Sequence, residues 1–460
     1  MSEQEEERCI ERSWADLGGD VQALARLRLS GAFGGLPSVY PVATLATACV
    51  GLATLAVADV LGSRCDRRPA EVNIDRRHAA VAFRSERYLQ PIGWELPPAW
   101  DPIAGDYETS DGFIRLHTNY EHHRAAVLRV LGTTPERDIL KQAVRAWSAD
   151  ELETAVVGEG GAAAAMRSAA EFAAHAQGQA LAEEPLFAVR TRRGEPLALR
   201  PSELPLSGVR VLDLTRVIAG PVCTRFLAAY GADVLRIDPP GFHEVGALLA
   251  ETTMGKRRAF LDLRKDEDRT AFQSLVAGAH VLVHGYRSDA LERLGFDESW
   301  RARTNPNLVS VSLDAYGFTG PWAARRGFDS LVQMSTGIAA KGRQVTGAER
   351  PVPLPAQALD HGTGYLMAAA VSRALARRAA SGDISEVRLS LARTARLLMD
   401  LGEDDPRAPE LSADDVAPCL EEAETAWGKV QRVRCPGSID GMRPRWSIPA
   451  GPLGSDPPVW

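Results

Sequence analysis

Val209-Arg210-Val211-Leu212-Asp213-Leu214, then Gly220-Pro221, then Ala232-Asp233-Val234-Leu235-Arg236-Ile237, is the stretch on which the fold turns. Two short apolar runs flank a helix-length segment that opens on a Gly-Pro pair. Phe260-Leu261-Asp262-Leu263, Val281-Leu282-Val283 and Leu308-Val309-Ser310-Val311-Ser312 follow as three further strands at similar spacing. Strands alternating with helices in this way predict a mostly parallel sheet covered on both faces. The loop after the first strand, Val217-Ile218-Ala219-Gly220-Pro221, lacks the G-x-G-x-x-G pattern, so a dinucleotide bound in the usual manner is not expected. A ligand is expected at the carboxyl ends of the strands.

Upstream the pattern differs. Arg190 to Pro205, with Pro201 inside it, reads as an exposed linker and marks the main domain boundary. Before it come an acidic helical lead-in over residues 1–28 and an uncharged run from Val39 to Ala58. That run is close to a membrane span in length, but it is built of Ala, Thr and Gly, contains Pro41 and ends at Asp59, which favours a helix buried in protein. A turn at Cys65–Pro69, a strand at Glu71–Ile74 and a Pro- and Trp-rich connector from Pro91 to Pro102 follow. Ser110-Asp111-Gly112 signals a tight turn before the strand Phe113–Leu116. Helical patterns run through Val127, Ile139 and Leu152, and a break at Gly158–Gly161 precedes an Ala-rich helix expected over 162–182.

The composition is that of a globular α/β protein: 460 residues, 45% hydrophobic, 25% charged, net charge −7. The acidic balance argues against a nucleic-acid partner. Six cysteines without CxxC spacing suit reduced thiols, and the acidic amino terminus is no targeting signal, so a cytoplasmic location with no membrane association is expected. No metal is called for.

Ala358-Leu359-Asp360-His361-Gly362-Thr363-Gly364-Tyr365-Leu366-Met367 places a lone carboxylate at the start of an Ala-rich helix. Such a carboxylate caps the helix, or it attacks an electrophile whose oxyanion rests on the free N–H groups there.

The order of motifs from Ser207 onward resembles class III (CaiB/BaiF-type, formyl-CoA transferase-like) CoA-transferases. The matching residues are Ser207–Thr215 with Ala219-Gly220-Pro221, Gly231–Pro240, Gly255-Lys256-Arg257-Arg258 and Leu261–Arg264. They continue through Ala290–Phe296, Asn305-Pro306, Gly317–Pro321 and Gly327-Phe328-Asp329 to Asp360, at the place of the family's catalytic aspartate. The resemblance implies an α/β fold, with a Rossmann-like large domain and a smaller α+β domain. It implies transfer of CoA from an acyl-CoA donor to a carboxylic acid acceptor through an aspartyl-CoA thioester on Asp360. Coenzyme A or acyl-CoA enters as substrate. The CoA-contacting positions carried over are Ile218, Ala219, Leu261, Asp262, Leu263, Arg264, Gly285, Tyr286, Arg287, Arg293, Phe328 and Asp329. Arginines among them suit phosphate. A homodimer is implied, with a hetero-oligomer as the alternative. Racemase-like members of the same fold carry His where this chain has Phe328, so acyl-CoA racemization is the rival reading, and an idle CoA-binding subunit a third.

The chain departs from the family's order. Residues 101–190 resemble the small domain yet precede the linker at 191–206 and the large domain at 207–400, with 401–460 as a carboxyl-terminal wrap. Residues 1–100 read as a degenerate copy of the family's central helix region: the helix at 48–61 echoes 363–376, and Glu71–Ile74 echoes Glu386–Leu389. In that copy Asp360 falls on Leu45 or Ala46, so no nucleophile is present. A remnant of two fused copies explains the extra helix better than a plain circular permutation. Asp238, His280 and Ser288-Asp289 also replace residues common in the family, and no counterpart of its Gly-rich loop is found, so formate and oxalate are not expected as substrates.

Overall fold

The computed structural model describes residues 3–64, 69–286 and 290–460. Most of the turn expected at 65–69, together with Arg287, Ser288 and Asp289, lies outside the described residues.

Seven strands form the main sheet. In spatial order they are Lys256–Phe260, Asp233–Asp238, Arg210–Leu214, Val281–His284, Val309–Asp314, Asp383–Ser390 and Ala188–Arg193. The first six run parallel and the last pairs antiparallel with Asp383–Ser390. From Arg210–Leu214 the chain steps outward twice on one side, then returns to build the other, so the connection reverses between Arg210–Leu214 and Val281–His284. Doubly wound sheets open their ligand crevice at such a reversal. The inner strands are nearly continuous apolar runs, as sheets covered on both faces require.

Two expectations shift. The strand placed at 260–263 ends at Phe260; Leu261 and Leu263 lie beyond it and are buried beside Phe272 and Leu275. Their apolarity therefore reflects a packed loop rather than a strand. The helix expected over 162–182 is a strand at Ala163–Ala165 followed by two short helices, Ala169–Ala174 and Ala176–Ala182. Alanine's helix propensity is outweighed there by pairing with Phe113–Leu116 in a three-stranded antiparallel sheet. The linker expected at 191–206 also begins inside a strand, since Ala188–Arg193 is the edge of the main sheet.

The uncharged segment forms the helix Val42–Arg64, long and apolar enough to cross a membrane yet mostly buried inside the protein. It packs along the helix Ala358–Ser381, and Asp59 joins the two by accepting from Arg373 at 2.5 Å. The two helices stand in equivalent local frames. Each is followed by a strand and then by a capped helix, with Asp75 and Ser390, 315 positions apart, as the capping residues. Leu45, where the first copy would hold its nucleophile, is fully buried and would touch any side chain placed at Gly362.

The last sixty residues run back over both halves. The hairpin 420–433 adds to Gln90–Ile92, Ser438–Ile439 pairs with Val72–Asp75, and the indole of Trp446 donates to the carbonyl of Arg225. Several of the recognised motifs prove to be scaffold. Lys256 reaches Asp213 at 2.9 Å beneath the first loop, and Arg257 grips Asp233 with two nitrogens.

Gly364 lets the helix Ala219–Ala229 lie directly on Ala358–Ser381: a β-carbon there would stand 2.5 Å from the carbonyl oxygen of Ala219 and 2.7 Å from Val222. Backbone cannot yield as a flexible side chain does, so Gly364→Val should lower stability by about 1–3 kcal/mol, the usual cost of overpacking. A fall in the urea midpoint at unchanged slope would register it.

Candidate active site

Asp360 occupies the first turn of the helix Ala358–Ser381. It does not cap that helix. The cap comes from outside, from Asp329, whose Oδ2 accepts from the backbone N–H of Leu359 at 2.8 Å and of Asp360 at 3.1 Å. Gln333 holds the other Asp329 oxygen and accepts in turn from the N–H of Leu354 at 2.7 Å. The Asp360 carboxyl is 7% exposed and makes no hydrogen bond to the described residues. Burial, then the nearby Asp329 and Glu86 carboxylates, raise its pKa well above the ordinary 3.8. Asp329 is itself pushed up to about 6, chiefly by burial. Two carboxyls this deep share their protons reluctantly. The next residue, His361, bonds Glu86 at 2.9 Å and stacks on Phe83, 5.5 Å between ring centres. Although burial opposes it, His361 carries Glu86 below its usual range.

Two cavities meet at Asp360. The first, about 350 Å³, opens over the carboxyl ends of the parallel strands and is lined by Leu214, Gly285, Tyr286, Asp314, Arg216 and Arg326 among others. It lies at the reversal point of the sheet, where a ligand was expected. The second, about 320 Å³, is walled by Leu96, Trp100, His117, Ile218 and Leu248. Tyr120, Val217, Phe328 and Asp360 belong to both.

The loop that carries Val217 is strained. Its φ of +63° is a conformation that β-branched residues avoid. Glu244 pins it by accepting from the Val217 N–H at 3.2 Å, and the same carboxylate accepts from the Tyr120 hydroxyl at 2.9 Å and from Arg236 at 3.1 Å. Burial opposes ionisation of Glu244, but Arg236 and these donors hold its pKa below the ordinary value. The network thus locks Tyr120, from the small-domain-like region, to the loop beside Asp360.

The carried-over contact positions divide into groups. Ala219, Gly285, Tyr286 and Phe328 line the first cavity, and Ile218, Phe328 and Asp329 the second. Arg293 ends the short helix Ala290–Arg293, whose first residue lines the first cavity. Leu261 and Leu263 have buried side chains, which leaves only their backbone to touch a ligand. Asp262 and Arg264 pair with each other in the same loop, at 2.7 Å. Arg287 lies outside the described residues. Asp329 is committed as a helix cap, so its part is to position Asp360.

Several side chains were not foreseen. Arg216 lies over the Phe242 ring at 3.7 Å and lines the first cavity, and its buried Nε, which makes no hydrogen bond, stands 3.8 Å from the Asp238 carboxylate. His122 and His123 line the first cavity, and His117 the second. The His117 ring lies flat on Phe328, 3.7 Å between centres. An imidazole therefore reaches this wall from a different strand end, although position 328 is not histidine. Burial lowers His117 and His123 to about 3. Among the described residues no cluster of three His, Cys, Asp or Glu side chains could hold a metal ion.

The sequence model of CoA-transferase family III matches residues 206–402. The chain is 30% identical over 375 residues to a protein named acetyl-coenzyme A transferase nodX, from Hypoxylon pulicicidum, a match covering 70% of this chain and 63% of that one. It is 29% identical over 200 residues to the probable fatty acyl-CoA transferase Rv3272 of Mycobacterium tuberculosis, covering 41% of this chain and 50% of that one. The chain thus spans about half to two thirds of the length of these curated relatives. Among solved structures, the hypothetical protein Rv3272 from Mycobacterium tuberculosis matches at 29% identity with a TM-score of 0.37, covering 43% of this chain and 60% of that one.

The raised carboxyls give stability a definite pH dependence. Below about pH 4 Asp360 is protonated in both folded and unfolded chains. As pH rises, the unfolded chain releases a proton that the folded one retains, so stability falls. Asp360→Asn removes this cost. It should stabilise the protein at pH 7 by about 1–3 kcal/mol, the usual scale for an unsatisfied buried group, and the gain should vanish by about pH 4. Urea unfolding at both pH values reads the difference.

Proposed function

We propose that the protein transfers CoA from an acyl-CoA to a carboxylic acid through a covalent intermediate on Asp360. The observation that carries this reading is a buried carboxylate, free of hydrogen bonds to the described residues, at the junction of two cavities. The family match of residues 206–402 supports it.

In the first step an Asp360 oxygen attacks the thioester carbonyl of the donor. The C–S bond breaks, CoA leaves as thiolate, and a mixed anhydride forms. The thiolate then attacks the Asp360 side-chain carbonyl, the acyl group departs as carboxylate, and aspartyl-CoA thioester remains. The acceptor carboxylate reverses these steps and restores free Asp360. The attacking form is the ionised carboxylate, which burial and the neighbouring acids disfavour, and over the full cycle no net proton is gained or lost. A carboxylate is a weak nucleophile in water, and burial removes the solvation that makes it so. Ala219 lines the first cavity and Ile218 the second at the start of the Ala219–Ala229 helix, and the N–H groups of a helix's first turn suit a developing oxyanion. In the first cavity Arg216 and Arg326 supply positive charge for the phosphates of CoA.

Acyl-CoA racemization fits less well. It needs a base for the α-proton, and burial lowers His117 and His123, the imidazoles packed against Phe328, to about 3, which makes them weak bases.

Asp360→Ala should retain CoA binding while turnover drops by about 10⁴-fold or more, the scale seen when a covalent nucleophile is removed. In the wild type, hydroxylamine added with an active acyl-CoA should leave a hydroxamate at Asp360, located by peptide mass mapping. An Asp360→Ala protein that still turns over would refute this assignment.

A further inference from the structure

We infer that the second cavity selects a monocarboxylic acyl group with an apolar body, ring-sized or branched, and turns away short dicarboxylates. The inference rests on the CoA-transfer reading and names its substrate class.

Apolar surface dominates the cavity wall. Leu96, Pro97, Ala99 and Trp100 come from the connector, Ala247 and Leu248 from the short helical turn after Glu244, and Ile218 and Phe328 close the end nearest Asp360. Trp100 is 45% exposed, a large aromatic left at a cavity mouth. It is held there edge-on to His117, 6.0 Å between ring centres, with the Arg115 guanidinium over its face at 5.5 Å. An aromatic kept in place yet uncovered is surface for a ligand to cover. The cavity volume of about 320 Å³ exceeds what a one- or two-carbon acid fills.

Charge argues in the same direction. The acidic groups facing the cavity are Glu86, Asp329 and Asp360, and Arg87 is its one cationic side chain among the described lining residues. Arg87 is half exposed and lies 3.8 Å from Glu86, so its charge is already directed at a carboxylate. The reacting carboxylate of an acid substrate is consumed at Asp360. A second carboxylate on the same molecule would lie against leucine, proline and tryptophan with three acidic groups nearby, and burying it unpaired is costly. An apolar body at that place gains roughly 25 cal/mol for each Å² removed from water. His117, Asn119, Tyr120, Ser330 and Gln357 are the neutral polar groups on the wall, enough to orient an acid but not to neutralise an anion.

The test uses the purified protein with CoA present. Calorimetric titration compares 3-phenylpropanoate and isovalerate with succinate and oxalate, and hydroxylamine trapping is run on the CoA esters of the same acids. The expected result is that the apolar acids bind at least about 10-fold tighter than the dicarboxylates. Leu248→Arg should narrow or invert that ratio, and Trp100→Ala, at the rim, should weaken only the apolar acids. Succinate or oxalate binding as tightly as the apolar acids would overturn the inference, whether or not Asp360 is trapped. Preferential binding of the apolar acids with no hydroxamate at Asp360 from any ester would uphold the cavity's selectivity and refute the transfer chemistry.

Discussion

The structure around the site depends on one hydrogen-bonded carboxylate, Asp329, which caps a helix it does not belong to. The first turn of Ala358–Ser381 has N–H groups that nothing within the helix can satisfy. By taking two of them, Asp329 fixes where the helix begins and hence where the Asp360 side chain projects. The same charge sits beside Asp360 and discourages its ionisation. One residue therefore positions Asp360 and adds to the pKa rise that burial chiefly causes, and Gln333 and the Leu354 N–H keep that residue in place.

That arrangement has a cost, visible in the strain nearby. Val217 is held at positive φ, and the force holding it is the Glu244 carboxylate, which also binds Tyr120 and Arg236. Strain of this kind persists only where the surroundings over-determine it. Here the surroundings come from two regions far apart in sequence, and each contributes a wall of the site. The large sheet supplies the crevice at its reversal point. Residues 86–120 supply Glu86, Trp100, His117 and Tyr120.

How much of this was legible in the sequence follows from which forces are local. The alternating strands and helices after residue 206 could be read because each strand's apolar run is its own signal. Asp360 could be singled out because Gly362, Gly364 and the alanines after it mark the helix start. Asp329 was marked as a ligand contact, since nothing in Gly327-Phe328-Asp329 reveals that its partner N–H groups lie thirty residues on. His117 on Phe328, Tyr120 on Glu244 and Glu86 on His361 were hidden for the same reason: each is a pairing across more than a hundred residues. Ala163–Ala165 misled in the opposite sense, because a local preference for helix yields there to a distant strand partner.

The amino-terminal region takes on a definite meaning in this light. The helix Val42–Arg64 matches Ala358–Ser381 in length, in the strand that follows and in the capped helix after that strand, yet it carries Leu45 near the equivalent of the nucleophile. Leu45 is buried facing Gly362, two residues from Asp360, so a carboxylate at that place would be buried beside the acidic groups that already raise the Asp360 pKa. The amino-terminal region contributes its apolar helix, which packs along the helix that carries Asp360, and the segment after it, which leads through Glu86 to Trp100 into the wall of the second cavity. It thereby shapes the space into which the Asp360 side chain projects.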